Sequence, residues 1–284
     1  MPVFEGKDVK LYYEDQGAGQ PVIFVHGTVC DCRAWFAQTD ALSSGFRTIS
    51  YSRRYARPNE RKGDIMDSTV QNNSADLEAL IKGLGLDKVH LVGHSYGGFI
   101  AAYFATKHPE LLRSLVLVNP AVFTMIASGR STSASFGLLL KSPSVALSAR
   151  RLINAVDATV KAVEKGDKSA AEKIFVQAVQ EGRTDLPPKP KGFSEMVAEN
   201  AGTLKETTAP FPQLTPREAG NIKTPTLILR GALSALWDLR ISELLSSAIP
   251  SAESEEIAGA GHFCLMEKPA EVNERMKRFL HRQS

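Results

Sequence analysis

The run Val89-His90-Leu91-Val92-Gly93-His94-Ser95-Tyr96-Gly97-Gly98-Phe99-Ile100-Ala101-Ala102-Tyr103-Phe104-Ala105 decides how this chain is read. Its first four residues form a short, mostly apolar segment that runs straight into glycine, as expected of a strand covered on both faces. Residues 99–105 are apolar all round, which predicts a helix buried near the middle of the molecule. Between them lies the pattern Gly-x-Ser-x-Gly. Five residues of that kind can also be a plain glycine-rich turn, so the flanking strand and helix carry the argument. A turn that reverses from strand to helix in so few residues strains the backbone of its central residue. Gly93 and Gly97 give the turn room, and the Ser95 hydroxyl is pushed out above the sheet. The start of the helix beneath it offers N–H groups and positive potential to a developing oxyanion.

Outward from this turn, short apolar runs alternate with helical patterns. Val3-Phe4 and Val9–Tyr13 read as an opening hairpin, Pro21–Val25 as a buried strand ending at His26-Gly27, and Arg47–Tyr51 as a further strand. Leu77, Leu80, Ile81 and Leu84 fall on one face of a helix that Gly85 stops. Leu115–Val118 is another buried strand, ending at Asn119-Pro120. From Ala121 to Asn221 no buried strand is evident. Helical faces replace it, at Leu152, Ile153, Val156, Val160 and Val163 and at Ile174, Phe175, Ala178 and Val179, punctuated by Gly166 and Pro187-Pro188-Lys189-Pro190. Strand rhythm resumes at Thr226–Leu229, then a helix with Ile241, Leu244, Leu245 and Ala248 on one face, a short strand near Glu255–Ile257, and a closing helix carrying Val272, Met276, Phe279 and Leu280. The expected fold class is α/β: a mostly parallel central sheet with helices on both faces. The expected division is a core of residues 1–120 and 222–284 with an inserted helical cap at 121–221.

Four stretches together resemble the α/β-hydrolase superfamily over nearly the whole chain. They are Phe24-Val25-His26-Gly27-Thr28, Gly93–Gly98, Pro225–Gly231, and Gly259-Ala260-Gly261-His262 followed by Glu267-Lys268-Pro269. The resemblance implies that Ser95 is a nucleophile, that His262 in its glycine-rich loop is the base, and that the N–H groups of Thr28 and Tyr96 bind an oxyanion. His26 and Gly27 are expected to shape the turn and His94 to pack into the core. Of the remaining histidines, His90 lies within a strand, His108 at a helix end and His281 near the C-terminus, and none has a catalytic motif. A serine at the elbow, where dehalogenases and epoxide hydrolases of this superfamily carry aspartate, points to acyl transfer or to carbon–carbon hydrolysis of a diketone.

One part of the pattern fails. The superfamily usually places an aspartate three or four residues after the glycine that ends Thr226–Gly231, and those positions are Ser234 and Ala235. Two replacements stand open. Asn119 occupies the place, just after the strand that follows the nucleophile helix, where some members carry the acid; its amide oxygen could fix the histidine tautomer but not balance its charge. The alternative for Asn119-Pro120 is a simple turn into the cap. Asp238 has the charge, but reads equally well as an N-cap of the following helix. Trp35, Phe123 and Met125 are candidate walls of an apolar substrate pocket, with ordinary core packing as the alternative.

Bulk composition excludes several classes. The net charge of +3 is spread along the chain, which argues against a nucleic-acid partner, and the pair Arg53-Arg54 reads as a solvated loop. No segment approaches the roughly 20 apolar residues that cross a bilayer, so no membrane association is expected. Three cysteines, Cys30, Cys32 and Cys264, are too few for a disulfide framework and fit a reducing, cytoplasmic setting; a lone Cys-x-Cys makes a poor zinc site. No metal or organic cofactor is implied. The expected protein is a monomeric or homodimeric serine hydrolase acting on a small, largely apolar ester or lactone. Its rivals are a lyase or cofactor-independent oxygenase with His262 as proton shuttle, and a ligand-binding receptor on the same fold.

Overall fold

The computed structural model describes residues 2–6, 9–60, 63–127 and 138–284. Its elements in chain order are β1 (Val3–Glu5), β2 (Lys10–Gln16), β3 (Pro21–Val25), α1 (Phe36–Leu42), β4 (Arg47–Tyr51), α2 (Val70–Gly83), β5 (Val89–His94), α3 (Tyr96–Lys107) and β6 (Leu112–Val118). Then come α4 (Pro143–Glu164), α5 (Lys168–Val179), α6 (Phe193–Asn200), α7 (Pro216–Ala219), β7 (Thr226–Gly231), α8 (Leu236–Ala248), β8 (Ala252–Ile257), α9 (Cys264–Glu267) and α10 (Pro269–Arg282).

The eight strands form one sheet in the order β1-β2-β4-β3-β5-β6-β7-β8. The β1–β2 and β2–β4 pairs are antiparallel and the five others parallel, which is the mostly parallel sheet the alternating pattern predicts. Every residue of β5 is buried, as is all of β3 after Pro21, because helices cover both faces. β4 and β5 flank β3 on opposite sides, so the strand order reverses at β3. In open sheets of this kind such a reversal leaves a crevice beyond the carboxyl ends of the strands, and ligands bind there. The pairing Val25↔Gly93 sets the ends of β3 and β5 side by side at that crevice.

Local chemistry accounts for the helices. Thr69 accepts a hydrogen bond from the Asn72 N–H at the start of α2, and Leu77, Leu80 and Ile81 are its buried stripe. Gly85 ends it in a left-handed conformation (φ +65°), and Leu86 N–H closes back onto Ile81 O at 3.0 Å. The period read at Val272, Met276, Phe279 and Leu280 is the buried face of α10. Between β6 and β7 the described residues hold helices and no strand; residues 128–137 of the predicted insertion lie outside the described residues. No helix among the described residues is long and apolar enough to cross a membrane.

The expectation of a solvated Arg53-Arg54 loop is overturned. Arg53 is 1% exposed and lies 2.7 Å from Glu206, while Arg54 forks onto Asp76 at 2.6 and 2.7 Å. The reason is long-range: the partner of Arg53 comes from the inserted helices, 153 residues away.

Candidate active site

The strand-to-helix turn at Ser95 has the strain its sequence predicts. Ser95 sits at φ +53° and ψ −120°, a conformation that costs a non-glycine residue on the order of 1–3 kcal/mol. The turn is closed by two contacts that only glycines allow. A Cβ on Gly97 would come within 2.2 Å of Val25 O, and one on Gly93 within 2.4 Å of Gly97 O. The result carries the Ser95 hydroxyl to the crevice, with Tyr96 as the first residue of α3, where backbone N–H groups have no partner within the helix.

His262 reaches the same point from the loop after β8. Its Nε2 is 2.9 Å from Ser95 Oγ, and its Nδ1 is 2.7 Å from Asp238 Oδ2. A carboxylate only accepts, so Nδ1 carries the proton and Nε2 is free to accept from the serine hydroxyl. His262 is 2% exposed and Asp238 0%. Asp238 is not an N-cap: that position is Ala235, and Asp238 lies in the first turn of α8, on the same buried side as Trp237, Ile241 and Ser242.

The side-chain hydrogen bonds of Asn119 go to Asp238 and its neighbours, not to His262. Asn119 Oδ1 accepts from the Gly231 N–H at 3.2 Å, which fixes the orientation of the amide and turns Nδ2 toward Asp238 Oδ2 and Ser234 Oγ, each at 2.8 Å. The Cys264 thiol also donates to Asn119 Oδ1, at 3.2 Å. The backbone of Asn119 is left-handed (φ +42°), a region that asparagine tolerates better than most residues. Thus both residues considered for the third position converge on the site, Asp238 against the histidine and Asn119 behind Asp238. Ser234, at the position where an acid is usual, supplies a hydroxyl to the same cluster.

A cavity of about 630 Å³ opens on Ser95 and His262 and is bounded largely by apolar side chains. Thr28, Tyr96 and Trp237 line it from the sheet side; Leu152 and Val156 of α4, Phe175 and Val179 of α5, and Phe211 line it from the inserted helices. Of the three predicted walls, Phe123 is one and Trp35 and Met125 are not. Trp35 is fully buried, with its ring 5.1 Å from that of Phe24 and edge-on to His94, and Met125 is likewise interior. The sequence reading missed Trp237 and Phe211. The Trp237 ring lies tilted 5.5 Å from His262 and 5.2 Å from Phe123, and Phe211 lies 5.5 Å from Phe99 and 6.0 Å from Phe123. Trp237 was findable, since it precedes Asp238 at the start of α8; Phe211 lies in an irregular stretch with no period to mark it.

The other histidines near the turn are held uncharged. His94 packs beneath the site with Nε2 donating to the His262 carbonyl oxygen at 2.9 Å, and burial pushes it down to about 3. His26 donates from Nδ1 to Gly27 O and accepts from the Arg53 N–H at Nε2; burial, with Arg53 adding to it, lowers it well below its ordinary value. An unfolded chain protonates these rings below about pH 6.5. The unfolded state then binds more protons than the fold, so this stability is fully present above pH 6.5. It is lost as pH falls toward each folded value, by about 1.4 kcal/mol per pH unit for each ring. Thermal melts at pH 7 and pH 5 are expected to show a Tm lower by several degrees at pH 5; equal melting points would contradict the uncharged burial of both rings.

Among the described residues no group of three or more His, Cys, Asp or Glu is placed to hold a metal ion. A family model described as alpha/beta hydrolase fold matches residues 20–269. Among curated proteins, the provisionally named carbamate hydrolase RutD of Azorhizobium caulinodans is 27% identical over 98% of this chain and 98% of its own length. A cis-3-alkyl-4-alkyloxetan-2-one decarboxylase of Shewanella oneidensis is 26% identical, covering 95% of this chain and 85% of its own. Among solved structures, an esterase from Exiguobacterium antarcticum superposes with a TM-score of 0.77 at 19% identity, covering 98% of each chain.

Proposed function

Because the chain belongs to the alpha/beta hydrolase fold family and is a hydrolase of that fold, we propose that it is a serine hydrolase cleaving a small, largely apolar ester or lactone. The observation that carries this reading is the relay Asp238–His262–Ser95, with 2.7 and 2.9 Å links, opening on an apolar cavity. In the proposed reaction the Ser95 hydroxyl gives its proton to His262 Nε2 and its oxygen attacks the substrate carbonyl. The oxyanion is held by the N–H groups of Thr28 and Tyr96, both of which line the cavity beside Ser95. His262 then returns the proton to the leaving alkoxide, and water, deprotonated by the same ring, releases the acid from the acyl-enzyme. Asp238 stabilises the imidazolium that forms twice in this cycle.

The helices of the insertion serve as a cap in this reading, since α4 and α5 face Ser95 across the cavity. The apolar lining favours substrates with alkyl or aryl arms over charged ones. A lactone is in keeping with the oxetan-2-one in the name of the Shewanella relative, a four-membered lactone. The lyase and oxygenase readings drew on the missing acid, and the receptor reading on the fold alone. Asp238 against His262 supplies that acid, which removes the ground the lyase and oxygenase readings had and completes the set of groups acyl transfer uses.

A fluorophosphonate probe tests the proposal directly. Mass spectrometry is expected to find the adduct on Ser95, absent from Ser95→Ala, together with turnover of short-chain aryl esters. An unlabelled Ser95 in the unaltered protein would overturn the serine-hydrolase reading.

A further inference from the structure

The proposed oxyanion turn does not hold its own shape. His26, Gly27, Thr28 and Val29 follow β3, and Val29 has a left-handed backbone (φ +57°), which a β-branched residue adopts only when its surroundings enforce it. The enforcing contacts come from two places. The first is Arg53, just beyond β4, whose Nε donates to His26 O at 3.0 Å and whose Nη2 donates to Gly27 O at 3.3 Å. The second is the 3₁₀ helix Ala201–Thr208 of the inserted segment. Its Glu206 accepts from Thr28 Oγ1 at 3.1 Å, and its Thr203 hydroxyl oxygen accepts from the Val29 N–H at 3.1 Å.

Arg53 and Glu206 join these two supports. The guanidinium forks onto the carboxylate at 2.7 and 2.9 Å, and its remaining N–H reaches Asn73 Oδ1 at 3.3 Å, so every side-chain donor of Arg53 has an acceptor. Glu206 is equally saturated, with Arg53 and Thr28 on one oxygen and Arg53 and Ser68 on the other. The guanidinium also lies 5.1 Å from the ring centre of Tyr96, the residue after the nucleophile. The pair is 1% and 0% exposed. A fully buried ion pair is a poor device for stability alone, since well-packed apolar residues often do as well or better. What this pair does have is geometry: it ties one cap segment to both sides of the oxyanion site. The same segment lines the cavity through Leu204 and Thr207.

We propose that Glu206, through Thr28 and Arg53, is a positioning residue for the oxyanion hole, so that the cap segment 201–208 is part of the frame that aims the Thr28 N–H. This rests on the serine-hydrolase reading above. It assigns the cap a role in transition-state stabilisation besides its role in enclosing substrate.

Glu206→Ala would strand a buried guanidinium and endanger the fold, so the primary variant is Thr28→Val. It keeps the shape and the backbone N–H but removes the hydroxyl that Glu206 holds. With a short-chain aryl ester, kcat is expected to fall about tenfold, less than the 10²–10³-fold of a donor removed outright, while KM stays within about twofold of the unaltered value. Affinity for a trifluoromethyl ketone, whose hemiketal oxygen must occupy the hole, is expected to fall in parallel. Thr28→Ser, which keeps the hydroxyl, is expected to restore both within about threefold, and Glu206→Gln to lower both without restoring either. Thr28→Val with unaltered kcat and ketone affinity would overturn the inference, as would a loss confined to KM, or a loss that follows Tm and is not rescued by serine. The fluorophosphonate experiment separates the two levels. Labelled Ser95 with an unaffected Thr28→Val overturns only the role of Glu206; unlabelled Ser95 in the unaltered protein overturns the hydrolase reading and this inference together.

Discussion

His262→Ala is expected to lower kcat by about 10⁶-fold, near the loss that removing a serine or histidine of such a relay produces in a serine protease, and to leave Ser95 almost unreactive toward a fluorophosphonate. The size follows from what no neighbour can replace. The nearest other imidazole is His94, whose ring centre is 5.0 Å from that of His262. Its Nε2 is committed to the backbone carbonyl of residue 262, and its Nδ1, without a hydrogen-bond partner among the described residues, is buried under the Gly27 turn, 3.2 Å from where a Cβ on Gly27 would stand. Burial also keeps it uncharged down to about pH 3, so it has little basicity to offer. The substitution spares the carbonyl that His94 holds, so the loop after β8 keeps that anchor. Circular dichroism is therefore expected to be unchanged while Tm falls, since buried Asp238 loses its His262 donor at roughly 1–3 kcal/mol, and kcat on a short-chain aryl ester is the measurement that decides. A residual activity within a hundredfold of the unaltered protein would mean that another group accepts the Ser95 proton.

The frame of the fold was legible because its signals are local. A buried strand, a turn that tolerates only glycine at two places and a helix without a polar face specify β5, Ser95 and α3 within seventeen residues. The stripe at Val272, Met276, Phe279 and Leu280 does the same for α10. The carboxylate against His262 was harder to read because its place depends on where α8 begins. That helix starts at Leu236, only five residues past the end of β7, and so carries Asp238 round to His262 on its first turn. One sequence signal was available: Asp238 lies three residues before Ile241 and seven before Leu245, on the apolar stripe of its helix, where a carboxylate requires a partner. Arg53 left no comparable trace. Its partner lies in a different part of the chain, in a short 3₁₀ helix with no strong period, and a pair of arginines after a strand reads as surface until Glu206 is placed beside it. The cavity walls from Phe211 are hidden for the same reason.

Asp238→Asn is expected to lower kcat about 10⁴-fold, the loss known for amide replacement of the acid in a triad, and Asn119→Ala far less. The contrast decides between the two residues that the sequence left open. Asp238 Oδ2 accepts two hydrogen bonds, from His262 Nδ1 and from Asn119 Nδ2. An amide at 238 can keep its oxygen at that position and satisfy both donors, in which case the tautomer survives but the negative charge that balances the imidazolium is gone. If the amide turns instead, its own N–H groups face two donors, and His262 must give up either its position or its tautomer. Both routes raise the barrier to acylation and deacylation alike. Asn119→Ala removes one of the two donors and the link to Ser234, Gly231 and Cys264, yet leaves a carboxylate against His262. Its cost should fall mainly on Tm, since the Gly231 N–H and Asp238 lose a buried partner at roughly 1–3 kcal/mol for each unsatisfied group. Steady-state kcat and thermal melts of the two variants, made side by side, measure the difference. If Asn119→Ala lost about 10⁴-fold while melting like the unaltered protein, and Asp238→Asn kept its activity, the amide would be setting the histidine directly, and Asp238 would have no claim to the third place.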